Sequence, residues 1–351
     1  MKFRTLISAL ASGQLLLLLQ LGSLFRERAR SSFVAAALAE GVYSLLRGSP
    51  ASLDQIHQSL LGLPSAELRS AGSQASDDSS KEKLRTWLEL GVMLGELKLT
   101  PAGYALHGRL SRQLAKPSND AVAAMYQETC TLHHDLITHT PARLREKRPF
   151  TLADTDGKLI ARSSRILEPF IFEVTDAVVP AKGACRLLEV GCGSGVYIQR
   201  ACRRNPDLQA VGLELQPAVA EFARQNLQAW GLAERAIVHS VDVRKYVALE
   251  RFNLVTLHNN IYYFPVPERL DLLRRLGNFL NPGGKLLVTT ACRGFLPTQT
   301  LNLWAEMTEG TGPLPEPGAM CDLLRQAGFT SLQKSELLPG QNFFAFVGAK
   351  G

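Results

Sequence analysis

Between residues 185 and 195 the chain reads Cys185-Arg186-Leu187-Leu188-Glu189-Val190-Gly191-Cys192-Gly193-Ser194-Gly195. No other stretch restricts the fold as much. A short apolar run breaks into glycines at every second position and then continues into a helix. Glycine lets the backbone bend sharply and approach a ligand that a Cβ would exclude. The N-terminus of that helix offers unpaired N–H groups to the same ligand. Strand, glycine turn and helix together describe a nucleotide-cofactor loop, which puts this half of the chain in the α/β class.

Residues at fixed distances beyond the loop strengthen that reading. The run Ala210-Val211-Gly212-Leu213-Glu214 is a second strand ending in an acid about 20 residues past the glycines, where a carboxylate can accept ribose hydroxyls. A third, Ala236-Ile237-Val238-His239-Ser240, leads to Val241-Asp242-Val243. A fourth, Phe252 to Leu257, opens into His258-Asn259-Asn260-Ile261-Tyr262-Tyr263-Phe264-Pro265. A helix then closes at Leu280-Asn281-Pro282-Gly283-Gly284, and Lys285 to Thr290 is the fifth strand. Dinucleotide binding fits less well, because Val196 stands where the third glycine of G-x-G-x-x-G belongs.

This order of glycine loop, acid, Asp, apolar strand and L-x-P-G-G resembles the class I S-adenosylmethionine (SAM) methyltransferases over roughly residues 180 to 351. The resemblance implies a Rossmann-like, seven-stranded sheet with the last strand antiparallel, and SAM as cofactor. It also implies roles for particular residues. Glu189, Gly191, Gly193 and Gly195 would cradle the methionine part, Glu214 would bind the ribose, and Asp242 would reach the adenine amino group with Val243 beside the ring.

The front half is mainly helical. Phe33, Val34, Ala37, Leu38, Val42, Leu45 and Leu46 fall at helical spacing. Ser52 can cap a second helix from Leu53, residues 64 to 80 read as a flexible Ser/Gly/Asp-rich insertion, and Lys81 to Leu94 is a third helix. Helices and then a short hairpin ending in Leu99-Thr100-Pro101-Ala102-Gly103 resemble the degenerate winged-helix domain in front of small-molecule O-methyltransferases, which implies a homodimer. The expected layout is a winged-helix-like domain over 1–115, a helical connector over 116–180 and the SAM-binding domain over 181–351. DNA binding is disfavoured, because Trp87 to Leu94 is apolar where a groove-reading helix would be polar.

Bulk properties exclude some classes. Six cysteines are scattered without a C-x-x-C pair, which argues for reduced thiols and a cytoplasmic protein rather than a disulfide frame. The net charge of +7 is spread over clusters that also contain acids, so no basic stripe points to nucleic acid. Leu6 to Phe25 carries no charge and is just long enough to span a bilayer. Serines, glutamines and glycines dilute it, and a buried helix packed on the second domain or a partner subunit is the preferred reading. Membrane contact through residues 6–25 is the alternative.

The catalytic assignment stays open at this level. In the plant-type relatives a histidine just past the fourth strand is the general base; here Tyr262 and Tyr263 occupy that stretch. His258, His133, His134 or His139 could serve instead, or the acceptor could need no strong base. Alternatively, Asn259-Asn260-Ile261-Tyr262 could act as N-P-P-Y does in amino-methyltransferases, although both prolines are missing. Asp135 and His139 lie one turn apart and could form a base-and-orienter pair. His133, Asp135, Arg162 and Trp304 are the candidate contacts to a small-molecule substrate. No metal is expected, since the clustered histidines do not share a helix face.

Overall fold

The strands form because runs such as Leu254-Val255-Thr256-Leu257 bury side chains on both faces, the pattern of a central parallel sheet. The computed structural model describes residues 8, 10–62 and 74–351. Residues 6, 7 and 9 of the apolar N-terminal segment and 64–73 of the Ser/Gly-rich insertion lie outside the described residues. The chain divides into two units, one of residues 1–135 and 155–166 and the other of residues 136–154 and 167–351.

In the first unit the helices are α1 (Gln14–Ala39), α2 (Val42–Leu45), α3 (Leu53–Leu61), α4 (Gln74–Met93), α5 (Arg109–Leu114) and α6 (Asp120–Cys130). An antiparallel hairpin joins β1 (Leu97–Thr100) to β2 (Gly103–Leu106), and Ala51 bridges Tyr104 as a third short edge. Ser52 caps α3 in a capping box with Gln55. Helix α4 starts at Gln74, seven residues before the expected Lys81. The sequence supplies Asp77 and Asp78 near that start, where acids favour the helix dipole, so a stretch that reads as flexible by composition is helical. Phe33, Val34, Tyr43, Ile56, Leu88 and Leu97 form the core. Gly91 lets α4 pack directly on the Phe33 ring. Glu96 is completely buried; it accepts from Arg30 Nε at 2.5 Å and from the Ser111 N–H at 3.3 Å.

The start of α1 is not covered within the single chain. Leu16, Leu17, Leu18, Leu19, Leu21, Leu24 and Phe25 are each more than half exposed, so the chain itself does not bury them. Among the described residues no helix is long and apolar enough to cross a membrane.

Helix α7 (Leu132–Glu146) straddles the boundary, and α8 (Gly157–Ser163) belongs to the first unit. The second unit holds α9 (Glu168–Val178), β3 (Cys185–Val190), α10 (Val196–Arg204), β4 (Leu208–Glu214), α11 (Pro217–Ala229) and β5 (Ala236–Ser240). It continues with β6 (Phe252–His258), α12 (Val266–Phe279), β7 (Leu280–Ala291), α13 (Leu296–Met307), α14 (Pro317–Gln326), β8 (Phe329–Leu338) and β9 (Phe343–Lys350). The seven strands run β5-β4-β3-β6-β7-β9-β8, with β9 antiparallel to its neighbours and the others parallel. Strand β7 begins at Leu280, inside the stretch read as a helix end, because Leu280 already pairs with Phe252.

Neighbouring residues face opposite cores. Leu188, Val255 and Leu286 pack with α12 and α14, whereas Leu187, Leu254 and Leu287 pack with α10 and α11. Strand order reverses between β3 and β6, so their C-terminal ends diverge and open a crevice, the usual ligand position in such sheets.

Glu96 is fully buried and its partner Arg30 half-exposed, so removing Arg30 leaves a buried carboxylate with fewer donors, at a cost of about 1–3 kcal/mol. Arg30→Met is therefore expected to lower unfolding stability by about that amount, read as a lower urea midpoint.

Candidate active site at the ends of strands β3, β4 and β6

The glycine loop is built by backbone geometry. Gly191, Gly193 and Gly195 all have positive φ (68°, 52° and 79°), conformations open to glycine at no steric cost. The N–H groups of Gly191 and Cys192 donate to the Leu213 carbonyl, at 2.8 and 3.0 Å, which pins the loop to β4. A side chain at 191 would fall on the Asn260 amide nitrogen. Cys192 is a buried space-filler, and burial raises its thiol pKa.

Three sequence-predicted acids gather at these strand ends. Glu189 is 1% exposed, and neither carboxyl oxygen has a hydrogen-bond partner among the described residues. Burial, then the nearby charge of Glu214, pushes its pKa well above the carboxylate range. Glu214 ends β4, where Oε2 accepts from the Gly193 N–H at 3.1 Å and Oε1 from the Gln216 N–H at 3.0 Å. Asp242 begins the turn after β5, with buried Val243 beside it. Its carboxylate accepts from the Arg244 backbone N–H at 2.8 Å and from Arg244 Nη2 at 2.6 Å. The side-chain bond from Arg244 leads in holding the Asp242 pKa low, and Arg244 Nη1 reaches on to Glu268 at 2.8 Å. Arg244 has no counterpart among the sequence-predicted residues; an Asp with an Arg two residues later in a turn was its only signal.

Strand parity explains a second group. Glu189 pairs in register with Thr256, so Leu187, Glu189, Leu254, Thr256 and His258 share the face covered by α10. His258 is 6% exposed; Nδ1 lies 2.9 Å from Thr289 Oγ1, and Nε2 has no partner among the described residues. Burial lowers its pKa to about 3, so the ring is neutral. Tyr197 of α10 packs against it, with centroids 4.6 Å apart.

After His258 the chain turns through Asn259 at φ 52°, whose N–H donates to the Thr289 carbonyl at 2.8 Å. Asn260 Nδ2 donates to the Val190 carbonyl at 2.6 Å. Tyr262 and Tyr263 come next in a short 3-10 turn, with Trp304 of α13 packed edge-on to both at 6.3 and 5.7 Å. Arg269 supports this turn from below, donating to the Phe264 carbonyl at 2.9 Å, while the Gly312 N–H donates to the Tyr262 carbonyl at 2.9 Å.

Of the connector candidates, His133, His134, Asp135 and Arg162 belong to the first unit and His139 to the second. Arg162 is engaged by Asp120 (Nη2 to Oδ1, 2.6 Å), and His133 by Glu128 at 3.2 Å, which also accepts from Ser163. Asp120 and Glu128 belong to the same unit as the side chains they hold. His134 is half-buried on α7, and Asp135 and His139 are exposed there. Among the described residues no His, Cys, Asp and Glu group could hold a metal ion.

Residues 187–284 match the model of a methyltransferase domain. Over 89 residues the chain is 34% identical to the tRNA1(Val) (adenine(37)-N6)-methyltransferase of Yersinia pestis (strain Pestoides F), covering 25% of this chain and 36% of that protein. The chain thus spans about a third of the length of the curated relatives it matches. Among solved structures, a mitomycin 7-O-methyltransferase aligns with a TM-score of 0.72 at 19% identity, over 97% of this chain and 99% of that one. Human N-acetylserotonin methyltransferase, in complex with SAM, aligns at 0.64 and 20% identity over 95% and 97%. At such identities the structures speak for the fold alone: residues 187–284 match a methyltransferase domain, in a chain that has the fold of these O-methyltransferases.

Proposed function

We propose that the protein transfers the methyl group of SAM to a small-molecule acceptor, with oxygen the favoured acceptor atom. The observation that carries this is the buried, unpartnered carboxyl of Glu189 beside a glycine loop whose three glycines all take positive φ and which has no room for a side chain at 191. Burying such a group costs free energy unless a donor-bearing ligand satisfies it. SAM supplies a methyl carried on a sulfonium and already activated for displacement. Around it, Glu189, Gly191, Gly193 and Gly195 would hold the amino-acid end. Glu214 would use its remaining lone pairs on the ribose, and Asp242 and Val243 would bind the adenine.

The protein's own contribution is then mainly positioning, which can supply about 7–11 kcal/mol. Tyr262 and Trp304 would flank the acceptor. His258 is a poor proton acceptor at its resting pKa of about 3, which leaves His133, His134 and His139 as the histidine candidates. An acceptor that arrives already ionised, such as an acidic hydroxyl or a carboxylate, fits this site better than one needing a strong base. The curated relatives methylate an adenine nitrogen. Both prolines of N-P-P-Y are missing from Asn259-Asn260-Ile261-Tyr262, which argues against that role. No dense basic stripe supports a nucleic-acid substrate. The first unit reads as a winged-helix-like dimerisation domain, and the free cysteines and the cofactor suit the cytoplasm.

The leucines of α1 support a homodimer. They are exposed around the whole helix, so one flat surface would cover only some of them; a groove of a second copy would cover more. Leu18→Glu with Leu21→Glu is expected to convert a dimer to monomers by light scattering, while a monomeric wild type would sink the idea.

Calorimetric titration with S-adenosylhomocysteine tests the cofactor reading. Wild type should bind, and Asp242→Ala should bind about 10- to 100-fold more weakly, the value of one or two lost hydrogen bonds to the ring. Absence of binding by folded wild type overturns it. For His258, the folded pKa lies below the unfolded value near 6.5, so its stabilisation is complete above about pH 6.5 and is lost as pH falls towards 3. Wild type should lose up to about 1.4 kcal/mol per pH unit relative to His258→Gln in that window, measured by denaturation at stepped pH; parallel curves would contradict it.

A further inference from the structure

The carboxylate assigned to the adenine amino group also serves a partner within the chain. Asp242 Oδ1 accepts from the Arg244 backbone N–H at 2.8 Å, which closes the turn after β5, and from Arg244 Nε at 3.1 Å. Oδ2, which the turn leaves over, accepts from Nη2 at 2.6 Å and from Nε at 3.0 Å. The guanidinium therefore lies along the carboxylate as a fork that engages both oxygens at once. An ionised carboxylate offers about four lone-pair sites, and Arg244 takes contacts at both oxygens. A ring amino group that needs Oδ2 has to compete with the arginine for it.

Arg244 has somewhere to stay when it lets go. Its Nη1 donates to Glu268 Oε2 at 2.8 Å, in the first turn of α12, and its guanidinium stands 5.8 Å from the centre of the Phe264 ring. Arg244 and Glu268 are both about half exposed, while Asp242 is largely covered. Water and salt screen such a pair, so the clasp on Asp242 is weak enough for a well-fitted ring to open. We infer that Arg244 is a latch at the adenine end of the cofactor site: its guanidinium and the adenine amino group compete for Asp242 Oδ2, and Glu268 retains the arginine when adenine wins. The inference rests on the SAM reading and adds to it a residue that sets cofactor affinity by opposing it. One consequence runs against the usual sense of salt effects. Salt screens the clasp, so it strengthens cofactor binding instead of weakening it.

The sign of one substitution separates a latch from a residue that merely aims Asp242. By calorimetry with S-adenosylhomocysteine, Arg244→Met should bind about 2- to 5-fold more tightly than wild type, the range set by an exposed ion pair. That gain should vanish when residue 242 is already alanine, because nothing is then left to compete for. Raising salt from about 0.05 to about 0.5 M should tighten wild type and leave Arg244→Met unchanged. Arg244→Lys keeps the charge but cannot form the fork; it should fall between the two, and it serves if methionine perturbs the turn. Weaker or unchanged binding by Arg244→Met overturns the latch, and so does an equal gain in the Asp242→Ala background. If Asp242→Ala weakens binding while Arg244→Met does not strengthen it, the latch fails and the cofactor reading stands. Folded wild type and Arg244→Met that both fail to bind remove the cofactor reading itself, and the inference with it.

Discussion

The hydrogen bond from the Asn260 amide to the Val190 carbonyl spans the point where the parallel sheet splits, and the rest of the site depends on it. Strands β3 and β6 are paired as far as Val190 and Leu257, then turn away in opposite directions. Beyond that point no sheet partner remains for the Val190 carbonyl on the β6 side. A side chain from the diverging strand closes the gap, and it reaches because residue 191 is a glycine and Asn259 turns the backbone through the left-handed region. A Cβ at 191 would separate the two strand ends, and with them the glycine loop and the tyrosine turn.

Charge is arranged by depth around this junction. In the interior, burial keeps His258 neutral and raises the pKa of Glu189, so the floor of the crevice is polar but carries little charge before a ligand arrives. At the rim Asp242 remains ionised because Arg244 grips it and is itself gripped by Glu268. A cofactor with a cationic end and a neutral adenine would find hydrogen-bond acceptors deep in the site and a fixed carboxylate near the surface. The same division limits the chemistry: a buried neutral imidazole with one nitrogen tied to Thr289 has little capacity to take a proton from an acceptor.

Local signals carried well where chemistry is local. The glycine loop, the Ser52 cap, the acids after β4 and β5 and the terminal hairpin are all visible in short windows of sequence. Composition misled at 74–80, where Asp77 and Asp78 favour a helix start in a stretch that reads as flexible, and at Leu280, where a long-range pairing with Phe252 decides for strand. Leu16 to Leu19, Leu21 and Leu24 read as part of a segment to be buried on the second domain or a partner subunit, and the single chain leaves them exposed.

By itself the sequence determined the cofactor half: glycines at alternate positions, strand periodicity and acids at strand ends are properties of neighbouring residues, and few folds accept them together. Only the tertiary structure decided which polar groups are spent and which are left. Arg162 and His133 are paired with Asp120 and Glu128 through contacts between helices that spacing along the chain does not encode. Asn260 reads as one more turn residue, and it is the packing of a diverging strand against a bare glycine that commits its nitrogen and leaves its oxygen buried without a donor among the described residues.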